Sequence, residues 1–455
     1  MSYQFVIVGA CLSGLSKAFF IKHLFPKAKI TLIEQSNRIG GMIQTRKENQ
    51  NQFIFEEGPH SIKIGRYDRP LFYMIDKIGL YPELVTSIQQ PYNYIYWKDE
   101  LKSVPQRMNF ETISRFIKDH GKEELLNLIK AYPKLLLNKQ VTDNLGEYLD
   151  EILGKELTKK YAETVYYGSY GESVYNLSRN MCFDKIYMQS YDEVELKKDL
   201  IYDKEFEQIR DKKLRKAHSY RFTYGLESLP KRLLRYLKDN LRENFEIYLD
   251  TKVQELNIEQ KELIIEKEDK NIQKIYYDKL LLNVPSSQIA TMIQNQSLDK
   301  LKEDLKKIKY TSLITRNICW DQKILPRNFR GSGYLINPNE NKNILGMVTD
   351  SLQFPMQYPQ DSTSVTVLSL KDVEDDQILK ELSIHLGMNI QDPKMIIKKN
   401  WMDCWIKWNP GYFDKMMMIE KELEEKSIII GANHFTMSIP ELVYLSYSKM
   451  KQLYV

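Results

Sequence analysis

Glycine is scarce here: 19 residues of 455, about 4% against roughly 7% in ordinary globular sequences. Collagen-like and glycine-rich linker architectures are thereby excluded. Cysteine is nearly absent as well. Cys11, Cys182, Cys319 and Cys404 lie far apart with no CxxC pair, which excludes a disulfide framework and a zinc ribbon and leaves buried reduced thiols. Six scattered histidines form no HxxxH or HExxH spacing, so no metal site is expected. No apolar run approaches the roughly 18 residues of a membrane-spanning helix. Charge of one sign is also missing: 66 basic against 61 acidic side chains leaves +5, too mild for a dedicated nucleic-acid binder. The N-terminus enters an apolar strand at once, leaving no room for a secretion signal.

What is present is an ordinary globular composition, 42% hydrophobic and 28% charged, over a length that suggests two to four compact units. Phe5-Val6-Ile7-Val8 is a continuous apolar run, and Gly9-Ala10-Cys11-Leu12-Ser13-Gly14 follows. Leu15, Ala18, Phe19 and Leu24 recur at helical spacing to Pro26, and 28–34 is a second apolar run closing on Glu34. Strand, tight turn, helix and strand in this order form a βαβ unit. The chemistry such a unit serves is dinucleotide binding. Gly9 gives the turn, the helix N-terminus offers free amides to a diphosphate, and Glu34, 20 residues after Gly14, can accept from a ribose hydroxyl. Cys11 stands where a middle glycine normally lets backbone approach phosphate.

The next segments add paired glycines and a cation: Gln35, Arg38, Gly40, Gly41 and Met42, then Glu56-Glu57-Gly58-Pro59-His60-Ser61. Arg38 can offer a charge-assisted hydrogen bond to phosphate. Helical patterns, such as 123–138, fill 108–215, and 196–219 is charge-rich, with the bland reading of a solvated face. Strand-like runs return at 245–253, 262–266 and 275–284, and β-rich runs at 310–413 include 344–348 and 364–370. A final strand at 427–431 precedes a helix from Pro440. One division fits: a nucleotide domain of 1–90, 220–290 and 414–455, a helical domain of 91–219, and a β-rich substrate domain of 291–413. The fold class is α/β, a Rossmann-like domain carrying an α+β and a helical insertion. The helices of 108–160 carry apolar stripes with lysines, a pattern that membrane contact and internal packing explain equally well. Met416-Met417-Met418 reads as core packing.

These motifs, in this order, resemble the FAD-binding opening of the amine-oxidase superfamily of flavoproteins, and within it the protoporphyrinogen oxidase family. The likeness continues in 224–230, in Gly331-Ser332-Gly333-Tyr334-Leu335, in 345–355, in Trp401 with Pro410-Gly411-Tyr412, and in Gly431-Ala432-Asn433 with Ile439-Pro440-Glu441. The resemblance implies non-covalent FAD held by Gly9, Ala10, Cys11, Leu12, Ser13, Gly14, Glu34, Gln35, Arg38, Gly40, Gly41, Met42, Gly58, Pro59, His60, Ser61, Val253, Ala432, Met437, Ser438 and Ile439. It also implies hydride transfer from a reduced tetrapyrrole in haem synthesis, a seat on the mitochondrial inner membrane, and a helical region docked peripherally there. The flavin then carries the difficult step, and no residue is assigned as catalytic.

Several positions depart from that family. Asn93 stands where an arginine would anchor a substrate carboxylate, and His60 is a second candidate for that contact. Tyr224, Thr436 and Tyr447 add bulk where glycine is common. These departures motivate an alternative, a non-catalytic relative serving as a structural subunit of a mitochondrial membrane complex, and leave open a flavoenzyme acting on another reduced substrate.

Overall fold

The computed structural model describes residues 3–48, 53–137, 142–192, 214, 217–340 and 342–454. Most of the charge-rich stretch 196–219 therefore lies outside the described residues. The opening apolar runs form parallel strands Gln4–Val8 and Lys29–Ile33, and three distant segments join them. The order across this five-stranded sheet is Phe245–Tyr248, Lys29–Ile33, Gln4–Val8, Lys279–Leu282, Ile428–Ile430. A parallel sheet is covered on both faces, which is why these strands read as continuous apolar runs. One face packs on the helices Leu12–Leu24, Ser228–Leu241 and Ile439–Tyr454. The other packs on an antiparallel sheet of Thr251–Asn257, Glu262–Lys267 and Ile272–Tyr276.

Two runs that read as single strands each split between these sheets. The run 245–253 breaks at Asp250, whose positive φ of 48° turns the chain out of the parallel sheet. The run 275–284 breaks after Tyr276, and Lys279–Leu282 then pairs beside Gln4–Val8. Apolar spacing continues through both breaks, so periodicity alone does not reveal them.

A seven-stranded sheet is ordered Met395–Ile406, Tyr310–Trp320, Thr363–Ser369, Ile344–Val348, Gly331–Ile336, Tyr92–Trp97, Glu100–Pro105. The last two strands form a hairpin closed by Lys98 and Asp99, both at positive φ, the conformation a tight two-residue turn needs. Residues 92–105 thus belong to the β-rich sheet and not to the helical segment assigned to 91–219. Gly331–Ile336 captures Tyr92–Trp97 by a parallel pairing across a long sequence separation, which the local pattern does not carry. Helices Phe110–His120, Lys122–Leu137 and Leu145–Leu153 follow the hairpin.

Candidate cofactor site

A cavity of about 600 Å³ opens at the end of the opening strand. Its wall begins at Val8, Gly9 and Cys11, passes Ile33, Glu34, Gln35 and Ser36, and reaches Thr251 and Val253. Gly41, Met42 and Asn283 also line it, as do Tyr310, Trp401, Met402, Asp403, Cys404 and Ile406 of the seven-stranded sheet. The volume lies in the range of small-molecule and cofactor sites.

The turn is built by close backbone approach. Gly9 has φ 96°, and a Cβ there would sit 2.7 Å from Asn283 O. A Cβ on Gly14 would overlap the Gly9 carbonyl, so helix and strand meet only because residue 14 is glycine. The helix Leu12–Leu24 starts at Cys11 with no side-chain cap, leaving its first amides available to an anion. Cys11 Sγ leans toward Asn283 O at 3.6 Å, and its Cβ fills the space a Gly41 side chain would need. Burial pushes the Cys11 thiol up, while the Gly14 and Ser13 amides pull the other way.

Glu34 is fixed with both carboxylate oxygens engaged. Oε2 accepts from Ala10 N at 2.8 Å, and Oε1 accepts from Ser36 N and Oγ at 3.0 and 2.8 Å. The carboxylate that would meet a ribose is thereby tied to the phosphate turn. Gly40 N donates to Ala10 O at 2.8 Å, joining the second glycine pair to the same turn.

Arg38 does not border the cavity. Its two terminal nitrogens donate to Gly41 O and Ile43 O, at 2.6 and 2.9 Å, and so brace the glycine loop. Of the positions the resemblance assigned to FAD, Gly9, Cys11, Glu34, Gln35, Gly41, Met42 and Val253 line the cavity. Ala10 acts through its amide, and Leu12 and Ser13 are buried behind the turn, with Ser13 Oγ bonded to Asn283 Oδ1 at 2.9 Å. Gly14 and Gly40 support the turn from outside the wall.

Gly58, Pro59, His60 and Ser61 do not line the cavity either. Trp401 does; its Nε1 donates to Glu57 O at 2.7 Å and its ring lies beside Gly58, so the indole faces the cavity in place of the loop. Ala432, Met437, Ser438 and Ile439 also stand outside. Ala432 N donates to Ser13 Oγ, Ser438 N to Thr436 Oγ1, Ile439 is in the core, and Met437 packs on the opposite core.

Asn93 and His60 are not brought together at the cavity. Asn93 alternates to the face opposite the buried rings of Tyr92 and Tyr94, where its Oδ1 accepts from Gln106 Nε2 at 2.6 Å. His60 is held in a buried seam made by three distant segments. Arg221, fully buried, donates to His60 O and to Asp350 and lies 4.2 Å from the Phe354 ring centre. Asp350 also accepts from Thr366 Oγ1 at 2.7 Å and stands 3.6 Å from His60 Nδ1. Burial works against the Asp350 carboxylate, but Arg221 and these neighbours hold it well below the usual range. Nearby Glu56 accepts from Thr45 and Leu226 N, and burial pushes it up to about 7. Neither His60 ring nitrogen makes a hydrogen bond among the described residues.

The bulky departures face away from the cavity. Tyr447 packs on Phe20 at 5.0 Å in the core. Tyr224 lies half-exposed under Lys47. Thr436 bonds Glu441 at 2.8 Å. Met416 is buried on one side of its helix and Met418 exposed on another, as amphipathic packing requires. Asn283, Ser36, Thr251 and Trp401 were not singled out from sequence as contacts. Asn283 carried one usable signal: a polar residue directly after an apolar strand, the same placement as Glu34. A free helix N-terminus, a close-packed turn, a fixed carboxylate and sufficient volume together fit a dinucleotide.

Comparison with known proteins agrees with this geometry. Residues 12–414 match the family model described as flavin containing amine oxidoreductase. The chain is 25% identical to protoporphyrinogen oxidase of Dictyostelium discoideum, over 87% of this chain and 81% of that one. It is 23% identical to coproporphyrinogen III oxidase of Staphylococcus aureus, over 97% of both. Among solved structures, a protein provisionally named protoporphyrinogen oxidase from Exiguobacterium sp. 255-15 aligns over 100% of this chain and 99% of its own. That alignment has a TM-score of 0.77 at 21% identity. Cyclohexylamine oxidase from Brevibacterium oxydans aligns over 100% of both chains, with a TM-score of 0.67 at 10% identity, a likeness of fold. The chain belongs to the family of flavin-containing amine oxidoreductases.

Proposed function

We propose that this protein is an FAD-dependent oxidase of the protoporphyrinogen oxidase type, holding FAD non-covalently and oxidising a reduced tetrapyrrole in haem synthesis. The observation that carries the reading is one cavity lined together by Cys11 at the uncapped helix, by Glu34 and by Trp401 of the seven-stranded sheet. In this reading Gly9, Cys11 and the helix amides face the diphosphate, Glu34 meets the ribose, and Thr251 and Val253 border the adenine end. Trp401 and Tyr310, the latter fixed by its hydroxyl to Ser286 N at 2.9 Å, border the redox end. Bound flavin supplies the two-electron acceptor. The chain contributes position and exclusion of water, and needs no acid–base triad for it.

Purified protein is expected to be yellow, to release FAD on denaturation, and to oxidise protoporphyrinogen or coproporphyrinogen III. A colourless protein that takes up no added FAD would overturn the reading. Because Tyr224, Thr436 and Tyr447 turn away from the cavity, they lend no support to a non-catalytic scaffold.

Peripheral attachment to an anionic membrane, expected to be the mitochondrial inner membrane, is part of the same proposal. Helix Lys122–Leu137 exposes Leu126, Ile129 and Tyr132 along one stripe, with Lys122, Lys130 and Lys134 around it. Phe110, at the start of the preceding helix, is 91% exposed as well. An apolar stripe flanked by lysines suits an interfacial helix, and among the described residues no helix is long and apolar enough to cross a membrane. The protein should sediment with anionic liposomes, and serine at 126, 129 and 132 together should abolish this.

A further inference from the structure

The phosphate-turn helix carries a cation on its buried side. Lys17 follows Gly14 by one turn, and only 1% of it is exposed. Its Nζ donates to Asn283 Oδ1 at 2.9 Å and to Ile430 O at 3.3 Å. It also borders a void of about 10 Å³ shared with Glu420, Lys449 and Phe435, a volume on the order of one water. A buried ammonium is costly unless a counter-charge compensates it. Glu420 stands across that void, but it is held by Lys449 at 3.1 Å, which bonds Glu424 besides, and it forms no ion pair with Lys17. Among the described residues Lys17 forms no ion pair, and its partners are uncharged oxygens.

The hydrogen bond of Lys17 to Asn283 leads instead toward the cavity side. Asn283, which holds both Lys17 and Ser13 through Oδ1, lines the cavity beside Gly9 and Cys11, where the helix amides favour an anion. We propose that Lys17 is a buried counter-charge for the diphosphate of the cofactor, an electrostatic positioning residue that carries its ammonium whenever the anion is bound, so that binding above neutral pH takes up a proton. This rests on the FAD reading.

Burial brings Lys17 down to about 7 when no anion is present, with Cys11 and Glu420 raising it and Lys449 lowering it. An anion at the turn favours the charged form and raises it again. The sign follows. Below about pH 7 the ammonium is present in both states, and affinity is flat. Above it, binding must restore the proton, and affinity falls by up to about tenfold per pH unit. The other groups facing Lys17 do not titrate in that window: burial raises the Cys11 thiol, and burial lowers His434 to about 4. Glu420 and Lys449 face it from the two C-terminal helices as an ion pair.

The test is calorimetric titration of FAD into the full chain freed of flavin, in two buffers of different ionisation enthalpy. Near pH 8.5, roughly one proton should be taken up per FAD, and near pH 6 almost none. Lys17→Met should still bind FAD, more weakly at low pH, with no uptake and a flat profile. Lys17→Arg, whose charge does not titrate, should bind without uptake, and it decides the matter if the methionine variant fails to fold. Unchanged uptake in a folded variant overturns the proposal. Absence of FAD binding at every pH overturns the FAD reading itself and this inference with it.

Discussion

The phosphate turn and the Arg221 seam are both close-packed and polar, yet they are assembled in opposite ways. The turn uses residues 9–14, a helix that starts where it ends, and an acid one strand later. Among the described residues its distant hydrogen-bond partners are Asn283 and Ala432. The seam joins Arg221 to His60, 161 residues away, and to Asp350, 129 residues away. Local pieces built on glycine fail by steric overlap, whereas long-range pieces built on buried charge fail by desolvation. The two regions therefore differ in what a single substitution should do.

The seam should break hardest. Arg221→Met leaves Asp350 as a buried carboxylate without its cation, and such losses cost about 3–5 kcal/mol. Urea unfolding should show that drop, and a change below about 1 kcal/mol would mean that the seam is not a buried pair in solution.

In the turn, Gly14→Ala places a methyl against the Gly9 carbonyl. Overpacking of this kind costs about 1–3 kcal/mol, and here it falls on the flavin site. The expected result is protein purified without its visible flavin absorption but with a clear folding transition. Glu34→Gln should act through charge instead of sterics. It keeps the shape but loses charged hydrogen bonds worth roughly 1.5–3 kcal/mol, a weakening of flavin affinity to be read by fluorescence quenching.

Glu56 sharpens the comparison through pH. Burial raises its folded-state value to about 7, so the folded state retains a proton that the unfolded chain has released. Its stabilisation is complete below the ordinary carboxylate range and declines as pH rises to about 7, by at most about 1.4 kcal/mol per unit. Glu56→Gln should flatten the slope of stability between pH 5 and 7 in the same urea assay.

Cys11→Gly should do least. The thiol is a weak donor leaning on Asn283 O, and flavin affinity should shift by less than about 1 kcal/mol. A tenfold tightening would show that sulfur crowds the diphosphate.

The turn was legible because its signals are adjacent: an apolar strand, glycines where a Cβ cannot fit, and an acid closing the next strand. Among the 19 glycines, those at 9, 14 and 58 stand where a side chain would meet backbone. The carbonyl partners of Arg38 are not legible in the sequence, because a guanidinium near two glycines suits a phosphate and a pair of carbonyls equally. Asn93 was legible as a strand residue but not as a partner of Gln106, which arrives from the far side of a hairpin.

By itself the sequence determined the βαβ unit and the family likeness, because strand period, turn glycines and a terminal acid all act over a few residues. Tertiary structure alone decided that Asn283 and Trp401 wall the cavity, that residues 92–105 join a distant sheet, and that Lys17 lies beneath the turn. Each depends on segments hundreds of residues apart meeting in one low-dielectric interior, where burial sets which charge needs a partner.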